Sequence, residues 1–143
     1  MFSEFRYEDF KSYREARFPL APLTLLIGTN ASGKSNALEG IRFLSWLSKG
    51  QRLDDALRAV QEDDITIRGS LETLGYHGAE SFSLGCSLTS TKPWEHFEVT
   101  LKIEDDDLYI VEESIYGDHS KVPLYQIVHS PDEYGYEVKV AYN

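Results

Sequence analysis

Residues 23–38 read Leu-Thr-Leu-Leu-Ile-Gly-Thr-Asn-Ala-Ser-Gly-Lys-Ser-Asn-Ala-Leu. Three signals meet here. Leu23–Ile27 is a short continuous apolar run between Pro22 and Gly28, the pattern of a strand buried on both faces. Gly28–Ser35 fits G-x-x-x-x-G-K-S, the Walker A phosphate-binding loop. Beyond it Ala37, Leu38, Ile41, Leu44, Leu47 and Ser48 recur at helical spacing. Gly50 is a stop signal for that helix, with Lys49 in its last turn. In a chain of 143 residues a chance match to the bare loop pattern has a frequency on the order of 0.5%. The strand before it and the helix after it make an accident rarer still.

Each position in the loop has a chemical task. Gly28 and Gly33 allow backbone paths that a Cβ would obstruct. The N–H groups from about Asn30 through Ala31, Ser32, Gly33 and Lys34 to Ser35 then form an anion nest, and the positive end of the helix faces the same anion. Lys34 supplies the point charge for the β- and γ-phosphates, and in that sense is the catalytic candidate. Ser35 offers a hard oxygen to Mg²⁺, which also takes phosphate oxygens and water. The ligand expected is ATP with Mg²⁺. Asp132-Glu133-Tyr134-Gly135 matches a GTPase D-x-x-G, but the chain has no N-K-x-D guanine reader, which argues against GTP specificity.

Around this centre the pattern changes period. Phe5, Tyr7 and Phe10, then Tyr13–Phe18, read as two short strand-like stretches. A second helix is expected over about Asp54–Gln61, with Asp54 as its N-cap. After Glu62 the alternation is strand-like: residues 65–71, Phe82–Leu88, Phe97–Ile103, Leu108–Ile115, Val122–Val128 and Tyr136–Tyr142, parted by turn-rich segments. This is an antiparallel meander and not a series of βαβ units. The fold class expected is an α/β P-loop NTPase half-domain: a P-loop strand-and-helix core over 1–61 and a β-rich subdomain over 62–143, together one lobe.

Composition restricts the partners. The formal net charge is −10. Residues 1–61 hold nine basic against seven acidic side chains, and residues 62–143 five against seventeen. A phosphate backbone would be repelled by the second part, so nucleic-acid contact would have to use the first part or a partner. The single cysteine, Cys86, forms no internal disulfide, which fits a reducing cytoplasm. No signal-peptide pattern opens the chain, and Phe18–Ile27 is far short of the roughly 20 residues of a membrane span.

Phe10-Lys11-Ser12-Tyr13, and the block holding Asn30, Asn36, Leu38 and Glu39, resemble the start of the ABC-type ATPase heads of the RecF, structural-maintenance-of-chromosomes and overcoming-lysogenisation-defect group. GQRLDDALRA and IRGSLE are similar to segments of stand-alone bacterial ATPases of that group. The strong resemblance covers residues 5–48. It implies Asn30 and Ser32 near the γ-phosphate, Lys11 and Ser12 on the base or ribose side, and Asn36 within the site. Ala31 stands where many members have Gly. In a complete head the resemblance also implies a Walker B strand, an LSGGQ-like signature and a switch His, with two heads sandwiching ATP.

Those further parts are not recognisable. SLGCS at 83–87 lacks the paired glycines of a signature. Leu108–Glu113 mimics Walker B, but Glu112 replaces the expected Asp and alternating strands flank it. Gln126 is a candidate for the magnesium-contacting Gln of the Q-loop, although it sits in a strand pattern. His77, His96, His119 and His129 show no metal-ligand spacing. The expectation is therefore an N-terminal lobe ending on a strand, part of a longer protein or a split head, completed by a C-terminal half and acting in DNA transactions or genome defence. The rivals are a non-catalytic nucleotide-binding interaction module and a small P-loop kinase, the latter disfavoured by the meander and by the scarcity of Arg after residue 68.

Overall fold

The structure is a computed structural model describing residues 1–49, 53, 67–89, 94–117, 122–128 and 140–142. Among the described residues seven strands form one antiparallel sheet: β1 (Phe2–Phe10), β2 (Tyr13–Pro19), β3 (Ser81–Leu88), β4 (Trp94–Glu104), β5 (Asp107–Gly117), β6 (Pro123–Val128) and β7 (Val140–Tyr142). Their order across the sheet is β2-β1-β3-β4-β5-β6-β7. Among its described residues the connection from β2 back to β3 carries helix α1 (Lys34–Leu47) and two short 3-10 turns, Leu71–Thr73 and Tyr76–Gly78.

Alternation along the strands separates the two faces. Phe82, Leu84 and Cys86 of β3 stand opposite Leu101, Val99 and Phe97 of β4, while Tyr7 and Phe5 of β1 stand opposite Leu84 and Cys86. Together with Phe10 they make the apolar face, on which α1 lays Ala37, Phe43, Leu44 and Trp46. Phe43 packs on Phe82 with centroids 6.2 Å apart. The other face is polar. Ser83 and Thr100 share a hydrogen bond of 2.9 Å there, and Gln126 donates to Glu112 at 2.8 Å.

Gly40 sets how closely α1 approaches the sheet. A Cβ there would lie 2.5 Å from Cζ of Tyr7. The ring fits against bare backbone, and its hydroxyl donates to the Ala37 carbonyl at 2.6 Å. Burial pushes the Tyr7 phenol well above its ordinary pKa, and Tyr13 adds to that shift.

The structure departs from the sequence reading in three places. Leu23–Ile27 joins no ladder among the described residues, and Leu23 and Ile27 are 76% and 90% exposed. A P-loop strand needs parallel neighbours, whereas every described strand is paired antiparallel and β1 has both edges taken. Leu38 is exposed, because the buried stripe of α1 runs through Ala37, Gly40, Phe43 and Leu44. Trp46, which carried no role in the sequence, is core. Residues 68–70 form no strand either; Ser70 and Thr73 cap the first 3-10 turn reciprocally. The expected helix over Asp54–Gln61, the stop at Gly50, His119, His129 and Asp132–Gly135 lie outside the described residues, as does the start of the expected Tyr136–Tyr142 strand.

Candidate nucleotide-binding site

The loop closes on itself ahead of α1. Gly33 is the N-cap of α1 at φ 89°, a left-handed conformation that favours glycine. A Cβ there would also meet the Tyr13 hydroxyl at 2.8 Å and Ser12 Oγ at 3.0 Å. Gly28 answers to a different constraint: its φ is ordinary, but a Cβ would lie 2.6 Å from Ser32 Oγ. Ala31 takes φ 63°, unusual for a residue with a side chain. The Ser32 N–H donates to the Thr29 carbonyl at 3.3 Å, and the Gly33 carbonyl accepts from Ala37 N–H at 3.0 Å and from the Tyr13 hydroxyl at 2.9 Å.

Lys34 folds back over this loop. Its ammonium donates to the carbonyl of Gly28 at 2.7 Å, to that of Thr29, and to Ser32 Oγ at 3.3 Å. Its hydrogen-bond acceptors among the described residues are two carbonyls and a hydroxyl, and no carboxylate pairs with it there. The first turn of α1 has no acidic side chain. The helix dipole and the lysine therefore add up at one place, where an anion would be stabilised. Ser35 is exposed in the same turn, with its hydroxyl available as a hard oxygen donor.

A cleft of about 600 Å³ opens beside the loop, walled in part by Lys11, Ser12, Asn36 and Glu39. Asn36 Nδ2 donates to Ser12 Oγ at 2.9 Å, tying α1 to the β1–β2 turn. Lys11, expected on the base or ribose side, does line the cleft, but its ammonium points inward. It lies 2.6 Å from Glu39 Oε2 and donates to the Arg68 carbonyl at 2.6 Å. Arg68 Nε donates to the other Glu39 oxygen at 2.8 Å. Burial alone would push the Glu39 carboxyl up, but the bonds and charges of Lys11 and Arg68 outweigh it and hold the carboxyl below its usual range. Glu39 and Arg68 lay within the stretches that carried the family resemblance. What the sequence could not show is that the carboxylate is buried between two cations.

The remaining candidates are elsewhere. Gln126 sits on β6, separated from β1 by β3, β4 and β5, and its amide is committed to Glu112. The structure does not bring it to Ser35. Leu108–Glu113 lies within β5, paired antiparallel on both sides, which is the reading the flanking alternation favoured. His96 lies between Ser87 at 3.2 Å and Glu98 at 3.1 Å on the polar face. Among the described residues no three His, Cys, Asp or Glu side chains could hold a metal. Cys86 is buried, which pushes its thiol pKa up. No described helix is long and apolar enough to cross a membrane.

Residues 23–126 match the family described as "AAA domain, putative AbiEii toxin, Type IV TA system". The chain belongs to this family. It is also 40% identical over 76 residues to the DNA replication and repair protein RecF of Brucella abortus (strain 2308), a match covering 50% of this chain and 20% of that one. RecF of Gloeobacter violaceus is 38% identical over 69 residues, covering 47% of this chain and 18% of the relative. The matched stretch thus spans about a fifth of the length of these relatives. A solved structure described as "Structural biochemistry of ATP-driven dimerization and DNA stimulated activation of SMC ATPases" superposes with a TM-score of 0.53 at 16% identity, covering 84% of this chain and 72% of that one. The RecF matches show relationship over about half of this chain, and the SMC ATPase structure shows a shared fold.

Proposed function

We propose that this chain binds ATP with Mg²⁺ on Gly28–Ser35 and supplies the P-loop half of an ABC-type ATPase site. The observation that carries this reading is the Lys34 ammonium, held in the loop by neutral acceptors at the unopposed positive end of α1. A triphosphate offers that ammonium stronger, charged acceptors. Asn30, Ala31, Ser32 and Gly33 would enclose the phosphates, and Ser35 would give Mg²⁺ its protein oxygen. Bound Mg²⁺ would neutralise charge on the β- and γ-phosphates.

The remaining half of the site would come from the C-terminal part of the ATPase, with two heads closing on the nucleotide. The exposed run Leu23–Ile27 supports this. Apolar side chains next to a phosphate loop call for a covering partner, and a parallel strand from that half would both pair the backbone and bury the run. The names of the relatives point to DNA transactions or genome defence as the setting. The acidic region 62–143 argues that DNA contact by the whole protein would use other surfaces.

The test is thermal stability with Mg-ATP. At a hundred times Kd, a ligand that binds only the folded state stabilises it by about 2.7 kcal/mol. Lys34→Ala should remove most of that shift, and Ser35→Ala should remove its dependence on Mg²⁺. If Lys34→Ala binds ATP as well as the unsubstituted chain, the site assignment is wrong.

A further inference from the structure

Strand β2 ends the sheet on one side, and no described strand pairs with its outer edge. We propose that this edge joins the same edge of a second copy of the chain. The two strands run antiparallel about a two-fold axis at Ala16, so that Glu15 faces Arg17 of the second copy and Arg17 faces its Glu15. This contact needs no nucleotide and does not depend on the reading of Gly28–Ser35.

The backbone fixes which residues bond outwards. The Leu20 N–H donates to the Ser3 carbonyl at 2.8 Å, so Leu20 turns its N–H to β1. Opposed residues in an antiparallel pair alternate between bonded and non-bonded pairs. In the β1–β2 register Phe18 and Ala16 therefore bond to Phe5 and Tyr7. Arg17, opposite Arg6, and Glu15, opposite Glu8, turn their N–H and C=O groups away from β1. The neighbouring ladders agree. Ile103 N–H donates to the Glu80 carbonyl at 2.7 Å, so the same alternation gives Phe82 and Leu84 to β4, and Ser83 and Gly85 to Glu8 and Arg6 of β1.

Charge then selects the register. Bonded pairs across two β2 edges match outward-bonding residues with each other. One such register sets Glu15 against Glu15 and another sets Arg17 against Arg17, like charges face to face. The register about Ala16 sets Glu15 against Arg17, twice by symmetry, with both backbone hydrogen bonds made in each pair. The two side chains are 73% and 60% exposed on the polar face. On the other face the exposed Arg14 comes opposite the half-buried Phe18 of the second copy, a cation beside an aromatic ring.

Within the chain the same charges are poorly matched. Arg17 stands opposite Arg6, which already pairs with Glu4, and Glu15 stands opposite Glu8. Like charges directly opposite destabilise a sheet. Along the strand Arg17 Nε and Glu15 Oε1 come no closer than 3.8 Å. Charges on an edge strand ordinarily block edge-to-edge pairing. Here opposite signs two residues apart block every register but one, and in that one they find the partners that β1 does not offer.

The experiment is sedimentation velocity of the chain without nucleotide, which keeps association through bound ATP out of the result. An edge of seven residues is a small interface, so a weak dimer is expected, populated at about 100 μM. Glu15→Arg and Arg17→Glu should each weaken it at least about tenfold, because like charges then meet in both symmetric pairs. The two substitutions together should restore it to within about threefold. Loss of folding does not explain that pattern: each substitution replaces a like-charge pair with β1 by an opposite-charge pair, so all three variants should melt no lower than the unsubstituted chain. In the dimer the Glu15 and Arg17 amides should exchange with solvent more slowly than in the dilute chain. A chain that stays monomeric at about 100 μM overturns the proposal. So does a dimer that the single reversals leave intact, that the double substitution fails to restore, or in which these two amides stay unprotected.

Discussion

Glu39 is a carboxylate on the inner side of α1, with its side chain 3% exposed, between Lys11 at 8% and Arg68. Removing one partner of such a group costs more than the pair contributes, because the other charge stays buried. Glu39→Ala leaves the Lys11 ammonium facing little besides the Arg68 carbonyl. The expected loss is about 3–5 kcal/mol, read as a lower urea midpoint at unchanged slope. The sign of the pH effect follows from the direction of the shift. The Glu39 carboxyl is held below its unfolded value, which is about 4.3, so the folded state binds that proton less readily than the unfolded state. The stabilisation is fully present above the unfolded value and is lost as pH falls through the lower folded one. Glu39→Gln should flatten that part of the acid limb. Melting temperatures from pH 7 down to pH 3 that run parallel for the two proteins would refute the coupling.

At the scale of elements, period was the legible signal and partnership was not. Alternation is clearest where one face is buried, as in β1, β3 and β4, so Phe82, Leu84 and Cys86 declare their strand unaided. The loop is legible as a pattern because Gly28, Gly33, Lys34 and Ser35 stand at the fixed spacing of a phosphate-binding loop. Leu23–Ile27 reads as a buried strand because apolar composition reports a demand for burial, and whether the demand is met depends on which neighbours are present. The helix stripe, right at Ala37, Ile41, Leu44 and Leu47, was misread at Leu38 for a similar reason. Leu38 is more apolar than Gly40, yet Gly40 faces the sheet, because the Tyr7 ring leaves no room for a side chain there. This gives a paired prediction. In an open helix Gly→Ala would gain up to about 1 kcal/mol. Gly40→Ala should instead destabilise by about 1–3 kcal/mol, since Tyr7 is buried and held by the Ala37 carbonyl. Leu38→Ala should stay within about 0.5 kcal/mol. Equal effects in denaturant titrations would mean that α1 is rotated relative to the face described.

At the scale of the whole molecule, the proposal gives this lobe the groups that would bind phosphate, and the groups that act on the γ-phosphate would come from elsewhere. The isolated chain is therefore expected to bind ATP and hydrolyse it poorly, with activity returning when the C-terminal half is supplied. In the proposed site Lys34, Ser35 and the loop N–H groups would touch the β- and γ-phosphates in the ground state as in the transition state. Interactions of equal strength in both states fill the site without raising the chemical rate. Acceleration needs a positioned water and a cation or donor on the far side of the γ-phosphate. Losing one such group in phosphoryl transfer costs about 10³–10⁵ in rate. Two acids nearest to such a role in the sequence are already engaged: Glu39 is paired with Lys11 and Arg68, and Glu112 accepts from Gln126 within the sheet. The measurement is phosphate release by the purified chain at saturating Mg-ATP, with Lys34→Ala as the control for contaminating ATPases. Turnover below about 10⁻² s⁻¹, rising at least a hundredfold with the other half present, is the expected result. Sustained turnover near 1 s⁻¹ that Lys34→Ala abolishes would mean that the lobe completes its own site, and the exposed Leu23–Ile27 run would then need a different partner.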